Sequence, residues 1–360
     1  MQPRDLSSHA TYRAGRGVEA VASELDRDPE ALVALASNEN PLGPSPKAVE
    51  AIRATASSVH RYPKASHVDL TAAIAEAWAV EPAQVWLANG GDGALDYLCR
   101  AMLEPGDGAL VPEPGFAYYA MAARYHHGTV ATWPLSRADD FAMDADAVLD
   151  AYGGERMVFL TSPHNPTGGR FAVEAVRTIA EATDEDTLVV VDEAYQEFAD
   201  GESALALLGE RDDVAVLRTF SKAYGLAGLR LGYALVPAAW ADAYERVTTP
   251  FAAGELACRA GLAALDDDAH LERSVRNARE AREYYRAELD APTWESHANF
   301  VLADVGDATA VAEAVRRQGV IVRDCTSFGL PGCVRVTCGT PEESERAVEA
   351  LNAAVAEVGG

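Results

Sequence analysis

The 360 residues carry 56 acidic side chains against 30 basic ones, a formal net charge of −26. A polyanion of this kind repels nucleic acid and anionic membrane surfaces, so neither is expected as a partner. With 49% hydrophobic residues the chain is no disordered acidic tail, and its length suits about two domains. The charge is therefore expected on a folded surface, where concentrated salt screens its self-repulsion.

In chain order, the N-terminal residues lack the apolar core of a signal peptide. From about 70 to 235, short β-rich runs at 85–88, 109–111, 157–160, 188–191, 214–217 and 231–235 alternate with amphipathic stretches such as 70–78, 94–103 and 173–182. That alternation predicts a largely parallel sheet covered by helices. After Pro250 comes a long charged helical region, 255–289. It is followed by a strand at 299–302, a helix at 308–318, strands at 320–322 and 334–337, and a helix at 342–357. The expected fold class is α/β, with a large domain over 46–250 and a smaller α+β domain built from 1–45 and 251–360.

Cys99, Cys258, Cys325, Cys333 and Cys338 form an odd set without a C-x-x-C pair, which suits reduced thiols in the cytoplasm. The histidines show no metal-ligand spacing, so no metal site is expected. No apolar run approaches the roughly 18 residues that span a bilayer.

The chemistry lies in the loops at the strand ends. The first strand runs into Asn89-Gly-Gly-Asp-Gly93 and the third into Thr161-Ser-Pro-His-Asn-Pro-Thr-Gly168. The next two run into Asp192-Glu-Ala-Tyr195 and Arg218-Thr-Phe-Ser-Lys222. In a parallel sheet such loops gather along one edge, where ligands bind. Only Lys47, Lys64 and Lys222 are lysines, against 27 arginines. Lys222 sits among small residues and can form a Schiff base, which arginine cannot because it stays protonated. Asp192 closes an apolar run and needs a strong partner, either an arginine or helix N-terminus or a protonated ring nitrogen. The Gly90–Gly93 turn offers backbone N–H groups to a phosphate, and Ser221 and Arg230 could complete the pocket. A lysine, a carboxylate, an anion cradle and an amide together fit pyridoxal phosphate.

Asn165-Pro-Thr-Gly168, Asp192-Glu-Ala-Tyr195, Ser221-Lys222 and Gly228-Leu-Arg-Leu-Gly232 resemble the signature set of the fold-type I aminotransferases. The histidinol-phosphate aminotransferases within that family are the closer resemblance. It rests on Tyr12-Arg-Ala-Gly-Arg16, Ala36-Ser-Asn-Glu-Asn-Pro-Leu-Gly-Pro44 and Arg61-Tyr-Pro63. Near the C-terminus Gly319-Val-Ile-Val-Arg-Asp324 and Val334-Arg-Val-Thr-Cys-Gly339 extend it.

The resemblance implies a pyridoxal-phosphate enzyme moving an amino group between histidinol phosphate and 2-oxoglutarate, through a Schiff base on Lys222 and with ping-pong kinetics. It implies Asp192 at the ring nitrogen and Asn165 with Tyr195 at the phenolic oxygen. Ser221, Arg230 and the backbone of Gly91 and Asp92 would hold the phosphate. Tyr62 would reach the phosphate of the partner subunit, which implies a homodimer. Phe116 would stack on the ring where the family usually has tyrosine. Arg335 would clamp the substrate α-carboxylate, with Arg323 and Tyr12 at the distal anion. A threonine-phosphate decarboxylase and an aromatic amino acid aminotransferase are the alternatives on the same scaffold. A transcription regulator's sensor domain would need a DNA-binding module, for which the 45 residues before the large domain show no pattern. His164 receives no role.

Overall fold

Runs such as Leu188-Val-Val-Val191 are buried throughout, as only an interior strand covered on both faces can be. The computed structural model describes Leu6, Ser7, His9, Thr11 and residues 17–359. Its strands are β1 (Val33–Leu35), β2 (Val85–Asn89), β3 (Gly108–Glu113), β4 (Thr129–Pro134), β5 (Met157–Thr161) and β6 (Leu188–Asp192). They continue with β7 (Val214–Thr219), β8 (Leu231–Leu235), β9 (Phe300–Asp304), β10 (Val320–Asp324) and β11 (Cys333–Thr337).

Seven strands form one sheet in the order β2-β8-β7-β6-β5-β3-β4, and four form a second in the order β1-β10-β11-β9. In the large sheet β8 runs antiparallel to both neighbours, and the other pairings are parallel. The inversion matters for the site. It brings the start of β8, next to Arg230, to the edge where β2, β5, β6 and β7 end. In the second sheet β1 pairs parallel with β10, which places the N-terminal strand beside the C-terminal ones. There Arg323 on β10 faces Arg335 on β11 directly across an antiparallel pair.

Three features depart from the sequence reading. The unexpected β4, Thr-Val-Ala-Thr-Trp-Pro, is an edge strand, where a terminal proline and exposed threonines are tolerated. The three-residue β1 is too short to show a period. The helical region after Pro250 is two helices, Glu255–Leu265 and Asp268–Glu288, because Asp267 caps the second. Its carboxylate accepts the His270 N–H and, at 2.6 Å, the Ser45 hydroxyl.

The five cysteines are free and buried. Among the described residues no helix is long and apolar enough to cross a membrane, and no cluster of His, Cys, Asp or Glu could hold a metal ion.

Candidate active site

A cavity of about 690 Å³ opens at the edge where these strands end, and its wall includes Asp92, Phe116, Asn165, Asp192, Tyr195, Ser221, Lys222, Arg230, Arg323 and Arg335. Residues from both sheets meet there.

On one side β2 passes directly into the helix Gly90–Met102, leaving its first N–H groups unpaired within the helix. Two glycines are obligatory at this junction. Gly90 has φ +77, and a Cβ there would lie 2.5 Å from an Arg230 guanidinium nitrogen. A Cβ on Gly232 would come within 2.5 Å of the Gly90 carbonyl carbon and 2.6 Å of the Gly91 nitrogen. The absent side chains let β8 lie against the turn and let Arg230 cross it. Arg230 pairs with Asp92 at 3.1 Å and donates to the Ala227 carbonyl at 3.2 Å and the Ser221 hydroxyl at 3.5 Å. A helix N-terminus, a hydroxyl and a guanidinium at one spot make an anion cradle.

At the end of β6 the consecutive carboxylates of Asp192 and Glu193 point to opposite faces of the sheet. Glu193 is the one that takes an arginine. The buried Arg218 on β7 contacts it at 2.7 Å, and Arg218 also pairs with Glu197 at 3.0 Å. Asp192 instead accepts the Tyr119 hydroxyl at 2.6 Å and the Ala194 N–H at 3.0 Å. Burial pushes its carboxyl up to about 6 against those two hydrogen bonds, while Asp92 and Glu193 add repulsion. None of these groups is cationic. A buried carboxylate in that setting fits a protonated ring nitrogen, the charge it lacks. Tyr119 is held by Thr161, 2.8 Å away, and burial together with Asp192 raises its phenol well above the usual value, so it stays protonated.

Lys222 is half-buried; its Nζ donates to the Ser37 carbonyl at 3.2 Å and lies 5.6 Å from the centre of the Tyr195 ring. The Tyr195 hydroxyl accepts from the Asn38 amide at 3.0 Å. Arg335, 5% exposed, donates to the Asn165 side-chain oxygen and, at 2.7 Å, to the Ala36 carbonyl. Since Oδ1 of Asn165 faces Arg335, the amide nitrogen is the end left for another ligand. Arg323 donates to Ser327 at 3.0 Å. Both guanidiniums flank Phe328, at 5.5 Å and 5.9 Å from its ring centre. Phe116 stands edge-on to Tyr119, 5.6 Å between centroids.

Most residues singled out from the sequence thus meet at one cavity, with two exceptions. Tyr62 is 72% exposed and stacks on Phe251 at 4.4 Å, away from this chain's own cavity. Tyr12 lies outside the described residues, although Thr11 lines the cavity. His164 is fully buried, paired with Thr167 at 2.8 Å, and burial lowers it to about 3, so it is neutral. From sequence, Tyr119 and Phe328 had no role, and Thr161, Asn38 and Thr337 stood only as members of the motifs. For Tyr119 the aromatic run after β3 was a usable signal; for Phe328 there was none.

The model for aminotransferase class I and II matches residues 30–351. Histidinol-phosphate aminotransferase from Haloarcula marismortui is 68% identical over 358 residues, 99% of each chain. The enzyme of that name from Natronomonas pharaonis is 66% identical over 352 residues, 98% of this chain and 99% of that one. Among solved structures, histidinol-phosphate aminotransferase from Sinorhizobium meliloti in complex with pyridoxal-5′-phosphate superposes with a TM-score of 0.89. It is 28% identical, covering 99% of this chain and 98% of that one. The cradle, the buried carboxylate and the lysine therefore stand on a shared scaffold, and the chain belongs to the class I and II aminotransferases and, within them, to the histidinol-phosphate aminotransferases.

Proposed function

We propose that the protein transfers the amino group of glutamate to imidazole-acetol phosphate, giving 2-oxoglutarate and L-histidinol phosphate, and runs the reverse reaction, as a step of histidine biosynthesis. The observation that carries this reading is the convergence of Lys222, the cation-less Asp192 and the Arg323–Arg335 pair on one cavity. When bound, pyridoxal phosphate supplies the electron sink that spreads the charge left on the substrate Cα.

The chain's residues do the rest. Lys222 holds the cofactor through its Nζ and, once free, carries the proton to and from the substrate Cα. Asp192 keeps the ring nitrogen charged. The Asn165 amide nitrogen and the Tyr195 hydroxyl bind the phenolic oxygen. Ser221, Arg230 and the N–H groups of Gly91 and Asp92 take the phosphate, and Phe116 covers one face of the ring. Arg335 clamps the α-carboxylate, a planar target suited to two parallel hydrogen bonds. Arg323, on the neighbouring strand, meets the distal anion. That anion is a phosphate in one substrate and a carboxylate in the other.

With glutamate alone, the loaded protein should release one equivalent of 2-oxoglutarate per site. After glutamate is removed, imidazole-acetol phosphate should then yield histidinol phosphate. Release of CO₂ from threonine phosphate without 2-oxoglutarate formation would sink the assignment.

The exposed Tyr62–Phe251 stack, with Val59 and Val68 also exposed, supports a homodimer in which Tyr62 completes the partner's phosphate pocket. Sedimentation in molar potassium chloride should give a dimer, and melting should occur at lower temperature in dilute buffer, where the charge of −26 is unscreened. A monomer in molar salt, or equal melting in both buffers, contradicts the respective claim.

A further inference from the structure

Asn38 is 1% exposed, and each of its polar groups is engaged. Its N–H donates to the Thr337 hydroxyl at 3.0 Å, and its carbonyl accepts from the Asn299 amide at 3.0 Å. Its side-chain oxygen accepts from Thr337 at 3.2 Å, and its side-chain nitrogen donates to the Tyr195 hydroxyl at 3.0 Å. We propose that Asn38 is the positioning residue that turns Tyr195 into a hydrogen-bond donor toward the cavity.

The bonds form one directed chain. A threonine hydroxyl has one proton. Thr337 accepts from the Asn38 backbone N–H and gives its one proton to the Asn38 side-chain oxygen. That orients the amide with its nitrogen toward Tyr195. A phenol that receives an N–H has its own proton left to give. Polarity is thus handed from β11 of the small sheet, through Asn38, to a side chain three residues beyond β6 of the large sheet, beside Lys222. Resting on the reading that Tyr195 faces the cofactor's phenolic oxygen, the donated proton stabilises the anionic form of that oxygen.

A purely conformational reason for Asn38 exists. Its φ is +55, a region that asparagine tolerates better than most residues. Glycine would serve that purpose as well, and aspartate nearly so, but neither can donate to Tyr195. An aspartate would instead accept the phenol's proton and reverse the polarity.

The test is the absorbance of the bound cofactor titrated with pH, in Asn38→Asp, Asn38→Gly, Tyr195→Phe and the Asn38→Asp/Tyr195→Phe double variant. Loss of one hydrogen bond to an anion should raise the midpoint by about one pH unit, roughly tenfold in proton affinity. Asn38→Asp should raise the midpoint at least as far as Tyr195→Phe does and lose most of that effect in the double variant, and Asn38→Gly should move in the same direction. If Asn38→Asp does not fold, Thr337→Val, which frees the amide to turn, should raise the midpoint by a smaller amount. Parent-like titration of the Asn38 variants, or additive shifts in the double variant, would overturn the proposal. An unmoved midpoint in Tyr195→Phe itself would instead remove the role given to Tyr195, and this inference with it.

Discussion

Lys222→Ala should end covalent capture of the cofactor and lower turnover by more than about 10⁴-fold, because it removes the residue proposed as both nucleophile and proton carrier. No other lysine can replace it. Lys47 pairs with Asp266 at 2.9 Å, and Lys64 begins the helix Lys64–Trp78 outside the cavity. The 27 arginines stay protonated and cannot attack a carbonyl. Borohydride reduction of the loaded protein and subsequent peptide mapping should place the adduct on Lys222 in the parent and nowhere in the variant. An adduct retained after Lys222→Ala would overturn the assignment of the nucleophile.

The second large effect is expected at Asp192. Asp192→Asn keeps the shape beside Tyr119 but would remove the counter-charge proposed to hold the ring nitrogen protonated. That costs about 3–5 kcal/mol, or roughly 10²- to 10⁴-fold in the rate of the amino-transfer half-reaction. The pH dependence has a definite sign. In the protein without cofactor the carboxyl holds its proton up to about pH 6. Pairing with a ring cation requires that proton to leave, so cofactor affinity should weaken by up to about tenfold per unit as pH falls below that value. Asp192→Asn should lose this component, leaving only the titration of the cofactor's own groups. Equilibrium binding at pH 5 and pH 7 in both proteins measures the difference. The same pH dependence in both would show that Asp192 does not meet the ring nitrogen.

Why these residues could be found in the sequence, and others could not, has a physical basis. Buried strands such as Leu188–Asp192 are short apolar runs ending in a polar residue, so both the strand and the chemistry at its end were readable. Convergence followed from the rule that parallel strands bring their ends to one edge. The inversion of β8 was not readable, since its residues are as apolar as those of a parallel strand. It is nonetheless what delivers Arg230 to the cradle. Asn38 and Thr337 lie 299 residues apart in sequence; their pairing exists only because β1 joins the C-terminal strands. Tyr62 could be named from its motif, but the single chain shows it stacked on Phe251 and turned away from its own cavity. That Glu193 and not Asp192 takes the arginine needed the alternation of sheet faces together with the position of Arg218.

The Arg323–Arg335 pairing across β10 and β11 has a consequence for how substrates arrive. Both proposed substrates are anions approaching a body that is itself strongly anionic, so in dilute solution they are pushed away before they can sense two guanidiniums set in a recess. In molar salt the field of the surface dies within about 3 Å, and an incoming phosphate meets the arginines while hardly registering the carboxylates around them. Brine then acts as a permissive medium for encounter as well as for folding. The guanidinium pair can remain a local device, because at such ionic strength no long-range attraction would survive to help it.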